Sequence, residues 1–180
     1  MSLMPVIPNP DLFKIGDAES ESVVNLLGAD NAQLAVSDTN DKFRSWFIDS
    51  GAMQATLKAS GRNSIYRKRI DDFPVRWVHN FWHMIYRMIY RAMVIKGWWL
   101  GTLVTGLAAF VDGSVSRKVR AATGAVSRPL SFHVAAHGLL LAFGIVMSAL
   151  IAPIPILATF WAVVSGIVIV LAWRIAASYQ

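Results

Sequence analysis

The sequence predicts an all-α integral membrane protein. A long amphipathic-to-hydrophobic helix and a C-terminal transmembrane helical hairpin follow a polar, partly disordered N-terminal region. Three observations carry this reading. Hydrophobic residues make up 55% of the 180 positions and charged residues 16%, with a mean hydropathy of +0.47, which is unlike an ordinary soluble domain. The apolar content is concentrated after residue 92. Two apolar stretches, 134–152 and 154–173, flank Pro153-Ile154-Pro155. Each is long enough to cross a hydrocarbon core of about 30 Å, and a break that tight permits only an antiparallel pair.

The chain divides into a polar region with a basic linker, 1–72, and a membrane domain, 73–180. The first 50 residues carry eight acids (Asp11, Asp17, Glu19, Glu21, Asp30, Asp38, Asp41, Asp49) against Lys14, Lys42 and Arg44, a net −5. From residue 51 onward fourteen Lys and Arg face only Asp71, Asp72 and Asp112, a net +11. Basic flanks on hydrophobic helices point to membrane orientation and anionic headgroups, with nucleic acid second. The absence of cysteine excludes disulfides and thiolate metal sites. The opening MSLMPVIPNP has neither the basic nor the apolar segment of a cleavable signal.

Within 1–60, helical spacing of apolar residues such as Phe43, Trp46 and Phe47 predicts short helices over 20–27 and 41–58, in a region otherwise weakly structured. SGRNSIYRKRIDD, 60–72, reads as a basic linker, either a solvated loop or a lipid- or partner-docking segment. Pro74 suits a first helical turn, and no proline follows until Pro129, which predicts a helix over 74–111. Along it His79, His83, Arg87 and Arg91 form one stripe at four-residue steps, flanked by aromatic and aliphatic residues. That pattern fits a helix in a membrane interface, or one packed among others with a wet edge.

The apolar part of this helix, 97–111, spans about 22 Å, short of a full crossing unless Lys96 snorkels. Asp112-Gly113 is its expected end, with Gly113 as a left-handed cap. A basic loop, 112–132, then leads to the hairpin, 133–175. Small residues recur every four positions: Gly97, Gly101 and Thr105; Gly144, Ser148 and Ala152; Ala158, Ala162 and Gly166. Such spacing predicts close helix packing within the chain, or self-association.

The charge-free proline turn is expected away from the cytoplasm and the basic loop inside it. Arg76, Arg87, Arg91 and Lys96 argue for the same side as that loop, a conflict that a re-entrant or in-plane first segment would remove.

All four histidines fall in pairs four apart, His79 with His83 and His133 with His137. If the first long helix is unbroken, His83 lies about 43 Å from its end, so the pairs do not converge on a metal. Neither pair belongs to an HExxH motif. Interfacial histidines bonded to headgroups, water or neighbouring helices are the expected reading. No phosphate-binding loop or nucleophile elbow occurs, and no ionisable residue sits deep inside the two full spans. The expectation is a protein that is not an enzyme and needs no cofactor.

The stretch FVDGSVSRKVRAATGAVSRPLSFHVAAHGLLL, 110–141, and the terminal SYQ resemble the DUF4400 family of small membrane proteins encoded by conjugative plasmids and integrating conjugative elements. The resemblance covers about 81–180. It implies a multi-pass protein of the bacterial inner (cytoplasmic) membrane, an accessory of type IV secretion, with the coupling ATPase or other secretion-channel proteins as partners. It supplies no catalytic residues. Candidate partner or lipid contacts in the matching stretch are Asp112, Gly113, Arg117, Lys118, Arg120, Arg128, Phe132, His133 and His137. The leading expectation is a non-enzymatic scaffold whose basic loop meets an acidic partner, lipid or DNA. The alternatives are a small oligomeric channel or transporter subunit, and a membrane-tethered DNA-binding module acting through 58–76 or 114–128 in a salt-sensitive way.

Overall fold

The structure is a computed structural model that describes residues 14–61, 73–124 and 129–178. The described residues are helical, without strands: α1 (Asp17–Leu27), α2 (Ala29–Phe43), a π-helical turn (Arg44–Ile48), α3 (Ala52–Gly61), α4 (Phe73–Ala122), α5 (Pro129–Ile151) and α6 (Ala158–Ser178). Helices α4, α5 and α6 are each long and apolar enough to cross a membrane, and the chain is an all-α membrane protein. The described residues form two compact units. One holds the residues up to Val94 together with Leu150–Leu157, the other Ile95–Ala149 with the residues from Ala158 onward.

In the first unit, α1 begins with Asp17 and Glu19 in its first turn, where acids complement the helix dipole. It buries Glu19 and Val23, one turn apart. Gly28, at φ +84°, separates α1 from α2, and its N–H closes the first helix on Val24 O at 2.9 Å. Helix α2 buries Ala32, Ala35 and Thr39 on one face. The Thr39 hydroxyl is satisfied locally by Ala35 O, 2.6 Å away.

At 44–48 the chain takes one wide turn, with Asp49 N–H bonded to Arg44 O. A wide turn shifts the phase of the residues that follow. Phe43 and Phe47 stand together, 5.6 Å between ring centroids. Both meet Trp82 of α4, at 6.1 and 5.2 Å. The aromatic flank of α4 is therefore protein core: Val78, Trp82, Ile89, Tyr90 and Val94 are all buried.

Helix α4 differs from the expected 74–111 chiefly at its end. It passes Gly97 and Gly113 unbroken to Ala122. The first eleven residues of the expected basic loop, 112–122, are helix. A single interior glycine costs only about 1 kcal/mol, whereas Arg117, Lys118 and Arg120 near the C-terminus favour the helix dipole. The left-handed cap is Gly124, at φ +70°, where Thr123 N–H bonds Val119 O and Gly124 N–H bonds Ala121 O. The hairpin helices begin at Pro129 and end at Ser178. The N-terminal region is more ordered than expected, since 29–43 is helical as well. Its expected disorder and the basic linker fall largely on 1–13 and 62–72, outside the described residues.

Of the small residues that the four-residue spacing selects, Ala158 is buried, while the closest approaches in the second unit are made by others. A Cβ on Gly113 would stand 2.5 Å from Trp173 O and 3.0 Å from Ala176 Cβ, and one on Gly138 would stand 3.1 Å from Leu171. Helix α5 buries Ala135, Ala142 and Ala149, a seven-residue repeat that makes a straight seam. Gly101, Gly144 and Gly166 have nothing within 4 Å of their Cβ positions. Gly97 and Ser148 are exposed and Ala162 half-buried. On a helix apolar all round, four-residue spacing does not say which face turns inward.

Gly113→Leu should therefore lower stability by about 1–3 kcal/mol through overpacking. Gly101→Leu, entering open space, should leave it unchanged. Thermal unfolding of both variants in detergent, followed by circular dichroism, separates them.

Candidate functional site

Glu19 is 1% exposed and lies between Arg87 and Arg91, themselves 4% and 1% exposed. Arg87 donates from Nη2 to Glu19 Oε2 at 2.7 Å and Arg91 from Nε to Oε1 at 2.7 Å. A second Arg91 bond, Nη2 to Oε2, measures 3.1 Å. Two guanidinium groups face one carboxylate, and the excess positive charge is directed at the α5–α6 turn. Arg91 Nη1 donates to Ala152 O at 2.8 Å, and Arg87 Nη2 to Ile154 O at 2.9 Å. Arg91 Nη2 also reaches Ile154 O. These carbonyls follow the last turn of α5 (Ile151), where helix carbonyls lack intrahelical partners and the dipole is negative. The cluster thus joins α1, α4 and the hairpin turn.

Burial by itself pushes the Glu19 carboxyl up, but the hydrogen bonds from Arg91 and Arg87 and the charges of both outweigh it and hold its pKa below the ordinary value of 4.5. Nearby polar contacts tie the remaining N-terminal helices to α4. Trp82 Nε1 donates to Thr56 Oγ1 at 3.0 Å, and Tyr86 Oη to Asn40 Oδ1 at 2.7 Å.

The expected interfacial stripe is therefore divided. His79 is exposed and His83 half-buried, with the Nδ1 of His83 buried and unpartnered among the described residues. Arg87 and Arg91 are ion-paired protein interior, a correction to their placement at a lipid or water interface. Glu19 is the residue that sequence reading missed. Its signal is modest: an acid one turn before Val23 on the buried face of a short helix.

In the second unit the candidate contact residues are brought onto helix ends. Asp112 is exposed and accepts a hydrogen bond from Trp173 Nε1 at 2.7 Å. Gly113 is the close-packing point against α6 described above. Arg117 is half-buried and Lys118 exposed. Arg120 bonds Ser116 O at 3.3 Å and reaches Ala177 O near the end of α6, so it serves the fold. On α5, His133 and His137 are exposed, with His137 Nδ1 2.7 Å from His133 O. Phe132 rests edge-on against the His133 ring, centroids 5.6 Å apart. Arg128 lies outside the described residues. Among the described residues no three of His, Cys, Asp or Glu form a group able to hold a metal.

Replacing Glu19 by Gln should cost about 3–5 kcal/mol, because two buried guanidinium groups lose their counter-charge. Chemical denaturation followed by circular dichroism reads the loss. The wild-type contribution of Glu19 is present above the ordinary carboxyl pKa of 4.5 and is lost as pH falls through the lowered native value. Stability measured below pH 4.5 should therefore fall more steeply for wild type than for Glu19→Gln.

No curated protein and no solved structure matches the chain. The family model for the DtrJ-like proteins, described as IncC plasmid conjugative DNA transfer protein DtrJ-like, matches residues 13–180 and so includes the N-terminal helices as well as the membrane helices. The chain belongs to the DtrJ-like family, and its role lies in conjugative DNA transfer.

Proposed function

We propose that the chain is a non-enzymatic inner-membrane accessory of a type IV secretion system that scaffolds the transfer complex by contacting its coupling ATPase. The family match over nearly the whole chain carries the reading. The basic end of α4 supports the contact. Its cations stand on ordered helix, with Lys118 exposed beside the half-buried Arg117, and an ordered basic surface is suited to an acidic partner.

In this proposal the basic end of α4 and Arg174 face the cytoplasm. Because Glu19 is joined to Arg87, Arg91 and the turn carbonyls, residues 17–61 then share the non-cytoplasmic side with Pro153–Pro155.

The chain has no cysteine, so single substitutions can be labelled cleanly. In intact donor cells Ser37→Cys should react with a membrane-impermeant maleimide, while Lys118→Cys should react only after lysis. The opposite pattern would move the partner surface to the N-terminal helices.

Deleting the gene should abolish transfer from the donor, and a complementing copy should restore it, as read by mating frequency. Arg117→Glu with Lys118→Glu should lose transfer and copurification of the coupling ATPase while membrane abundance holds. Arg120 is left intact because it bonds α6. Undiminished transfer in the deletion strain would overturn the assignment. Transfer that survives charge reversal would remove the basic end as the contact.

A further inference from the structure

The second unit contains an open groove of about 490 Å³, bounded by Trp98, Gly106 and Phe110 of α4, Val146 of α5, and Trp161 and Val168 of α6. That volume is in the range of small-molecule sites. The lining is almost wholly apolar, its hydroxyls being those of Thr102 and Ser165, and Thr102 already donates to Trp98 O at 3.0 Å. One polar group stands apart. The indole N–H of Trp98 is buried and has no acceptor among the described residues. A buried Trp N–H ordinarily finds one.

Helices α4 and α6 run parallel, since Trp98 and Trp161 line one groove and Gly113 meets Ala176 beyond it. Trp98 is therefore level with Trp161, and the two indoles mark one end of the groove. Tryptophan favours the depth of the headgroup boundary, where glycerolipids carry their ester carbonyls. From Ile95 to Phe110 the groove follows about 22 Å of helix, short of a hydrocarbon core of about 30 Å. The groove therefore stops within the core, whereas a partner helix would run through both leaflets. Lys96, exposed, is on the stripe of Leu103 and Leu107 at the same end.

We propose that this groove holds one anionic glycerophospholipid of the surrounding bilayer. One acyl chain lies along Gly106 and Phe110. An ester carbonyl accepts the Trp98 N–H as the indole turns towards the groove, and the phosphate is drawn to Lys96. The site is independent of the partner assignment above and requires only that α4, α5 and α6 lie in a membrane.

Gly106 makes the test clean. A Cβ there meets nothing within 4 Å, and the same is true of Gly101, which does not line the groove. The Cβ of Gly106→Phe therefore enters open space and its ring occupies the groove, and Gly101→Phe is its control. The full chain is placed in nanodiscs of phosphatidylcholine doped with phosphatidylglycerol, and bound lipid is counted by native mass spectrometry after release. Equal melting temperatures of the variants establish that they are folded.

Wild type should retain one phosphatidylglycerol. Trp98→Phe should reduce its retention about two- to tenfold, the worth of one hydrogen bond. Gly106→Phe should abolish it, Gly101→Phe should leave it unchanged, and Lys96→Gln should erase the preference over phosphatidylcholine. Wild-type retention in Gly106→Phe would overturn the site, and equal retention of both lipids by wild type would overturn its anionic specificity. A lipid-free wild-type dimer that Gly106→Phe dissociates would assign the groove to a second copy of the chain.

Discussion

One carboxylate shared by two arginines organises the first unit. Desolvating three charges is costly, and their mutual attraction offsets that cost only when the geometry is good and the remaining donors are satisfied. Here the remaining donors reach Ala152 O, just past α5, and Ile154 O in the turn beyond. Each component therefore solves a problem for another. The acid neutralises the arginines, the arginines satisfy carbonyls that α5 cannot, and the turn occupies donors that would otherwise be stranded. The aromatic contacts of Phe43, Phe47 and Trp82 add apolar burial around this polar centre but have no comparable directional requirement.

The membrane helices were legible in the sequence because length and hydropathy suffice to mark a span, and the proline break fixed the hairpin. The paired polar face of α4 was not. His79, His83, Arg87 and Arg91 fall on one stripe whether that stripe meets headgroups or protein, and the deciding residue, Glu19, is far away in sequence. Arg87 and Glu19 are separated by 68 positions, beyond the reach of any local pattern. The N-terminal helices were underestimated for a related reason. ADNAQLAVSDTNDKF is polar and of modest helix propensity, so α2 depends on tertiary support for its Ala32, Ala35 and Thr39 face.

The contact residues drawn from the family-like stretch met a mixed fate. Gly113 and Arg120 hold α4 to α6, Asp112 receives the Trp173 indole, and Lys118, His133 and His137 remain exposed. A sequence motif combines residues that shape a surface with residues that present it. Only their neighbours in space distinguish the two, as the unfilled space at Gly101, Gly144 and Gly166 shows for small residues.

The bonds from Arg91 to the α5–α6 turn set an order on biosynthesis. Arg91 and Ile154 are 63 positions apart, and at about 5–20 residues per second a ribosome needs roughly 3–13 s to cover that interval. Through those seconds the N-terminal helices and the start of α4 exist without the hairpin that completes their polar centre. The first unit cannot close until α5 and the turn that follows it have been made. Its assembly reports that the chain has been made past α5, and a chain stalled before that turn carries the unmet arginines of α4 as the mark of its incompleteness.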